Sequence, residues 1–181
     1  MLRTGRDQAL NTKREELINF NQRHTAKFKA GLSLKYLMSY LGQNNELLWI
    51  QEFIDIQSEK PTSVANFKTF LRQKTKKNIE WYFEDYIVSA ISSDYKFKNY
   101  SIDKDSIYFT IKNLKKGKYP ISLSTLKGEQ VISKEWIEGF DSEKQFSIAN
   151  NGAEELALNY DHSSLEFNRR NNWKRLDRGR L

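Results

Sequence analysis

The spacing of the apolar residues changes once along this chain, near Ser92, and this change constrains the fold more than any other feature. Before Ser92 the apolar residues recur every three or four positions, which is the spacing of amphipathic helices. After it they alternate with polar residues, as in half-buried strands. We therefore predict an α+β chain with a helical domain over residues 1–92, a β-sandwich over residues 93–175 and a basic tail over residues 176–181.

The helical part contains recognisable helix starts and stops. Leu34, Leu37, Met38 and Leu41 would share one helix face, and Gly42 would end that helix because glycine adopts the left-handed conformation at little cost. Further helices are predicted after the cap candidates Asn45, Thr62 or Ser63, and Asn78, and across residues 14–23. Their apolar stripes are Leu17, Ile18 and Phe20; Leu47, Ile50, Phe53 and Ile54; and Phe67, Phe70 and Leu71.

The segment N-I-E-W-Y-F-E-D-Y-I, residues 78–87, concentrates aromatic surface at the end of the helical part. It opens a predicted helix that runs from Asn78 to Ile91. The apolar face of this helix would hold Ile79, Tyr82, Phe83, Tyr86, Ile87, Ala90 and Ile91. A face this wide must be covered on more than one side, so we predict that the helix lies at the junction with the β domain.

Short alternating segments follow Ser92 at a spacing typical of an all-β domain. They are residues 95–102, 106–114, 119–126, 130–137, 144–149 and 155–161. Turn-forming stretches such as K-K-G-K and N-N-G separate most of them. The pattern predicts an antiparallel sandwich of immunoglobulin-like type, in which Pro120 would place its strand at a sheet edge.

The positive charge lies at the two ends of the chain. The net charge is +7, yet residues 31–167 hold 17 basic and 19 acidic groups. This distribution is more typical of solvated termini than of a specific nucleic-acid reader, which carries a basic stripe on its folded face. The closing N-R-R-N-N-W-K-R, residues 168–175, leaves two hypotheses. It could contact RNA through its arginines and Trp173, or Asn168, Asn171 and Asn172 could tie off the last strand.

Independent catalysis has no visible machinery in this sequence. There is no cysteine, and the two histidines, His24 and His162, stand apart. His162 and Glu166 could share a metal on a helix, but the local alternation favours a strand end or turn, and zinc needs three or four ligands. The motifs G-x-S-x-G, G-x-G-x-x-G and G-K-S/T are absent. We predict no metal or cofactor site.

The opening M-L-R-T-G-R-D-Q lacks the apolar run of a signal peptide, and no segment approaches the length of a membrane span. These observations leave the localisation open. They also leave the oligomeric state open.

Read in order, the motifs of this chain resemble the C-terminal part of aminopeptidase N family zinc metallopeptidases, the gluzincins. In that family an H-E-x-x-H helix and a downstream glutamate precede a Y-x-K-G segment and a helix ending in L-G, which residues 27–42 resemble. Residues 64–87 resemble the aromatic stretch that follows, and the closing E-F-N-R-R-N-N-W resembles the end of bacterial members. The resemblance extends from Lys13 to Arg175.

This chain departs from the family at two places. H-E-x-x-H is missing, so the resemblance implies that zinc and the general base belong to another part of an intact parent. The family's oxyanion-binding tyrosine falls on Phe28, which has no hydroxyl, so no catalytic residue is assigned to this chain. Ala30 falls on the adjacent lysine position, with Lys29 just before it, which leaves the register open by one or two residues.

Two functions follow from different classes. The first is a non-catalytic C-terminal portion of a peptide-hydrolysing aminopeptidase N-like enzyme, which provides domain packing and active-site walls against the remainder of the catalytic domain. The second is a stand-alone helical plus β-sandwich module that binds a protein partner. A basic RNA-binding protein is a third hypothesis, and we expect no specific nucleic-acid binding.

Overall fold

The computed structural model describes residues 7–24, 28–42, 46–166 and 168–176. The chain divides into two compact units, a helical unit of Asp7–Ala90 and a sandwich unit that begins at Ile91. Each unit is described by itself. Among the described residues, no helix is long and apolar enough to cross a membrane.

The described residues of the helical unit form four α-helices between a short 3₁₀ turn and a π-helix. These are the 3₁₀ turn Arg14–Glu16, α1 (Asn19–His24), α2 (Ala30–Leu41), α3 (Glu46–Gln57), α4 (Val64–Lys74) and the π-helix Trp81–Tyr86. The centre of the unit is α2, which buries Tyr36, Leu37, Met38, Tyr40 and Leu41.

Two predicted helix ends are confirmed. Gly42 ends α2 in the left-handed conformation, with φ of 78°, and its N–H donates to the carbonyls of Met38 and Ser39. Ser63 begins α4 in a capping box, in which its Oγ accepts from Asn66 N–H at 3.2 Å and its N–H donates to Asn66 Oδ1 at 3.0 Å. The predicted cap Asn45 lies outside the described residues.

The helix predicted from Asn78 to Ile91 is wrong in length and type. Asn78 does cap the turn, since its Oδ1 accepts from Glu80 N–H, but only Trp81–Tyr86 is helical, and it is a π-helix. In a π-helix each residue advances by a smaller angle than in an α-helix. The rings of residues 81, 82, 83 and 86 are all buried. Ile91 lies beyond the helix and is 44% exposed.

Two predicted apolar stripes are only partly buried. In the first, Ile18 and Phe20 are exposed, and Leu17 is not helical. In the stripe of α3, Ile54 is exposed and the side chain of Leu47 lies outside the described part. Apolar spacing predicts a face but does not show that a neighbour covers it.

In the part of the sandwich unit that the structure describes, seven antiparallel strands form two sheets. The strands are β1 (Tyr95–Ile102), β2 (Ser106–Asn113), β3 (Ile121–Lys127), β4 (Gln130–Ile137), β5 (Glu143–Ala149), β6 (Glu155–Leu158) and β7 (Trp173–Arg175). One sheet has the order β1-β2-β5 and the other β4-β3-β6-β7. All six predicted segments form strands, and the α+β class with a two-sheet sandwich is confirmed.

The core of the sandwich lies between the two sheets. Its members are Tyr95, Phe97, Ile107, Phe109, Ile111, Ile121, Leu123, Ala153, Leu156, Leu158 and Leu176. Leu176, the first residue of the predicted tail, therefore packs in the sandwich. The prediction that Pro120 places its strand at a sheet edge is wrong. Pro120 precedes β3, and β3 pairs with β4 on one side and with β6 on the other. Pro120 stands just outside the ladder, where its missing N–H costs no inter-strand bond.

Candidate functional site

A largely apolar cavity of about 530 Å³, open to solvent on one side, lies in the helical unit. The residues around it come from α2, α3, α4 and the π-helix. Its apolar walls include Leu34, Phe53, Phe67, Phe83 and Ile87. The volume falls in the range of roughly 300–1,000 Å³ that small-molecule sites occupy.

The aromatic segment of residues 78–87 holds one wall of this cavity against α2. The ring of Trp81 packs against Tyr36 at a centroid distance of 5.0 Å and against Tyr40 at 5.6 Å. Tyr86 meets Tyr36 edge-on at 5.5 Å. Such pairs each contribute about 0.5–1.5 kcal/mol beyond the area they bury. The aromatic residues concentrated in this segment thus pack the π-helix against α2.

One hydrogen-bonded pair of hydroxyls belongs to the cavity lining. Ser33 Oγ and Tyr82 Oη are 3.0 Å apart, and Ser33 Oγ also donates to the carbonyl of Ala30 at 2.7 Å. Burial raises the pKa of Tyr82, and the bond to Ser33 opposes that shift only in part. The phenol therefore stays protonated at neutral pH.

Three large apolar side chains of α3 are exposed. Leu48 is 61% exposed, and Ile54 and Ile56 are each 52% exposed. Leu48, Trp49 and Ile56 line an open groove of about 720 Å³ together with Gln51, Glu52 and Asp55. Between Leu48 and Gln57, where every side chain is described, no residue is buried. An apolar helix in a globular protein normally buries one face, so this surface is suited to covering by another structure.

Phe28 lies two residues before the start of α2 and is 63% exposed. The next residue, Lys29, is turned inward: its Nζ contacts Asp7 Oδ2 at 2.9 Å and donates to the carbonyl of Gln8 at 2.6 Å. This ion pair anchors the start of α2 to the N-terminal segment. The assignment of Phe28 to the oxyanion position stays a prediction.

The residues considered for metal binding are not brought together. His162 lies in an exposed turn with φ of 55°, and its backbone N–H donates to the carbonyl of Asn159. Asp161 is held by Lys134 Nζ at 2.6 Å, while Glu166 is buried and bonded elsewhere. The side chain of His24 lies outside the described part. Among the described residues, no three His, Cys, Asp or Glu side chains are placed to hold an ion, so these residues do not fit zinc.

Sequence reasoning missed a buried carboxylate in the sandwich unit. Glu166 Oε2 accepts from Asn172 Nδ2 at 2.6 Å and from Asn159 Nδ2 at 2.9 Å, and Oε1 accepts from Tyr95 N–H at 3.3 Å. Burial raises the pKa of Glu166 to about 7, and these three donors only moderate the rise. Asn159 also has φ of 49°, a left-handed conformation that asparagine tolerates.

The asparagines of the closing segment do tie off the sandwich. Asn172 Nδ2 donates to the carbonyl of Leu158 at 3.1 Å, and Asn168 Oδ1 accepts from Arg170 N–H at 3.1 Å. The third, Asn171, donates instead to the Asp94 carboxylate at 3.3 Å. The hypothesis of local ties is confirmed for Asn168 and Asn172. In the sequence, the one sign of the buried Glu166 carboxylate is the number of asparagines near it.

Comparisons with known proteins support the fold. No protein-family profile matches the chain, and no curated protein matches it in sequence. Among solved structures, the chain is similar to a crystal structure of Legionella pneumophila aminopeptidase A in complex with aspartic acid, with a TM-score of 0.61 and 14% identity. The match covers 77% of this chain and 17% of that chain. The chain therefore has an aminopeptidase-like fold and spans about one sixth of the length of that protein.

Proposed function

We propose that this chain is a non-catalytic portion of an aminopeptidase N-like zinc metallopeptidase, in which it provides domain packing and active-site walls. The likeness to part of an aminopeptidase supports this proposal at the level of fold. The ordered motifs of residues 27–42 and 64–87 support the narrower family. Zinc, its ligands and the general base would belong to the remainder of the intact enzyme, because these 181 residues contain no H-E-x-x-H.

The observation that carries the proposal is the uncovered face of α3. A helical domain without any partner would normally bury side chains such as Leu48 and Ile56, whereas a part of a larger domain presents them to the rest of that domain. Full burial of one such side chain stabilises the folded protein by about 1.5–3 kcal/mol. We propose that the remainder of the catalytic domain covers this face.

The sandwich unit fits the same proposal as an immunoglobulin-like domain. The order β1-β2-β5 and β4-β3-β6-β7 corresponds to strands A-B-E in one sheet and C′-C-F-G in the other. This correspondence supports the immunoglobulin-like type that the strand spacing predicted.

The test begins with the coding sequence directly upstream of Met1, expressed in frame with this chain. We expect that product to contain H-E-x-x-H, to retain one zinc ion and to hydrolyse aminoacyl amides. Leu48→Asp and Ile56→Asp should lower its melting temperature and its activity. The matched control is Val131→Asp, at a 40% exposed apolar position of β4, which should change neither quantity.

The same variants in the isolated chain show whether the substitutions act on contacts with the covering domain or on the stability of this chain itself. Because Leu48 and Ile56 are exposed there, their replacement should change the free energy of unfolding by no more than about 0.5 kcal/mol. An upstream region without in-frame H-E-x-x-H, or an enzyme indifferent to both substitutions, would overturn the proposal.

A stand-alone interaction module is the second candidate, and the same α3 face favours it. Leu48, Trp49 and Ile56 could be covered either by a separate protein or by the remainder of a catalytic domain. The upstream sequence separates the two candidates. If it contains no H-E-x-x-H and Leu48→Asp still abolishes binding of an isolated partner, the module is favoured.

A further inference from the structure

The cavity of the helical unit has a chemical character that packing alone does not require. Phe53, Phe67 and Phe83 supply ring surface, with centroids 5.0 Å apart for the first two and 6.1 Å apart for the last two. None of the described residues that line the cavity is charged. A neutral molecule with an apolar body therefore suits it better than an ion, which would lose its hydration without gaining a partner.

The hydroxyl pair adds one directional requirement. A serine hydroxyl has a single hydrogen, and that of Ser33 is committed to the carbonyl of Ala30 at 2.7 Å. The 3.0 Å contact between Ser33 and Tyr82 must then use the hydrogen of Tyr82. The Tyr82 oxygen is left as an acceptor, and the raised pKa of this buried phenol keeps it neutral.

We propose that this cavity binds a small, neutral, largely apolar molecule that carries one hydroxyl or N–H group, which donates a hydrogen bond to the Tyr82 oxygen. The proposal goes beyond the role in a peptidase, since it needs neither zinc nor the remainder of an enzyme. It assigns a ligand class to a site that the motifs of the chain do not indicate. A molecule that offers only an acceptor would meet no free hydrogen at this pair.

The experiment uses matched probes on the full chain. Titrations followed by NMR chemical shifts compare p-cresol with toluene, which has the same ring and methyl group but no donor. We expect saturable binding of both, with p-cresol bound roughly fivefold more tightly, the equivalent of one ordinary hydrogen bond. Tyr82→Phe should remove this preference and leave the affinity for toluene unchanged. Tyr108→Phe, at a 47% exposed position of β2, is the matched control.

A second variant tests the direction of the hydrogen bond. Ser33→Ala removes the acceptor of the Tyr82 hydrogen, so this hydrogen becomes available to a ligand. We expect 4-methylacetophenone, an acceptor without a donor, to bind more tightly to this variant than to the wild type. The NMR spectrum of each variant reports whether the fold is retained.

Three outcomes would overturn the proposal. The first is absence of saturable shifts with either probe up to its solubility limit. The second is equal affinity for p-cresol and toluene in the wild type, which requires no variant to fold. The third is binding of a tyrosine-bearing peptide without binding of p-cresol, which would assign the cavity to a protein partner instead.

Discussion

The side-chain amide of Asn172 donates a 2.6 Å hydrogen bond to the carboxylate of Glu166, and both residues are buried in the sandwich unit. The bond joins the segment before β7 to the segment after β6. Desolvation nevertheless outweighs the bonds from Asn172, Asn159 and Tyr95, and the nearby Asp94 carboxylate also disfavours ionisation. The pKa of Glu166 is therefore raised from 4.5 to about 7.

This raised pKa predicts that the sandwich unit loses stability as the pH rises. Above about pH 4.5 the unfolded chain releases the Glu166 proton, whereas the folded chain keeps it until about pH 7. The stabilising contribution is thus full below pH 4.5, falls between pH 4.5 and 7, and is absent above. We expect a difference of up to about 3 kcal/mol between the two limits, measured by urea unfolding at several pH values.

Glu166→Gln isolates this effect, because glutamine keeps the size but does not titrate. The variant should lack the decline between pH 4.5 and 7, while the matched control Glu135→Gln, at an exposed position of β4, should retain it. Groups with lowered pKa, such as Glu80 and Asp161, act at more acidic pH and are common to all three proteins. Parallel pH profiles for wild type and Glu166→Gln would contradict the prediction.

Removal of a ring from the π-helix should strongly destabilise the helical unit. Trp81 is 9% exposed and Phe83 6% exposed, so Trp81→Ala or Phe83→Ala should cost about 3–5 kcal/mol in unfolding free energy. Trp173→Ala removes a ring that is 44% exposed on β7 and should cost much less. Denaturant midpoints for both buried-ring variants equal to that of the wild type would show that neither ring is needed.

We expect the chain alone to bind no zinc tightly and to hydrolyse no aminoacyl substrate. The described residues bring no three ligands together, and the sequence holds two histidines and no cysteine. The measurement is metal content after dialysis against zinc-containing buffer, with activity assayed on an aminoacyl anilide. Stoichiometric zinc that is lost in His162→Ala would contradict the prediction.

Nucleic-acid binding should be weak, salt-sensitive and independent of sequence. The notable cations of the described closing segment include Arg169 and Arg170, which are exposed, and a few such charges neutralise only a few phosphates. Deletion of residues 174–181 would remove most of the closing cations, but it would also damage the fold, because Lys174 lies in β7 and Leu176 lies in the core. The double substitution Arg169→Gln and Arg170→Gln leaves Lys174 and Leu176 in place, and it should weaken any binding to nucleic acid.

A truncation after Leu176 also removes Arg178 and Arg180 and leaves only Lys174 and Arg175 of the closing cations, so together with the two substitutions it should reduce binding further. Binding to RNA would then be measured at about 150 mM salt, where attraction between exposed charges more than roughly 8 Å apart is largely screened. Sub-micromolar, sequence-dependent binding that survives all these changes would instead promote the RNA-binding hypothesis.

Several features of this protein were determined by its sequence alone, because they depend on local chemistry. Helix ends at Gly42 and Ser63 follow from the left-handed tolerance of glycine and from a side-chain cap. The bounds of β1 and β4 agree with the alternating segments to the residue. The bond between the Asn168 side chain and the N–H of Arg170 has the same origin, since asparagine side chains bond to the backbone near them.

Other features were decided only by the tertiary structure, because they depend on what packs against a residue. Glu166 and the N–H of Tyr95 are 71 positions apart, so the sequence contains no local sign of their contact or of the raised pKa. The sequence around Pro120 is consistent with an edge strand, but β3 has a hydrogen-bonded partner on each side, which only the tertiary structure decides. The apolar stripe of α3 predicts a helix, but whether Ile54 is covered depends on a neighbour that local spacing does not specify.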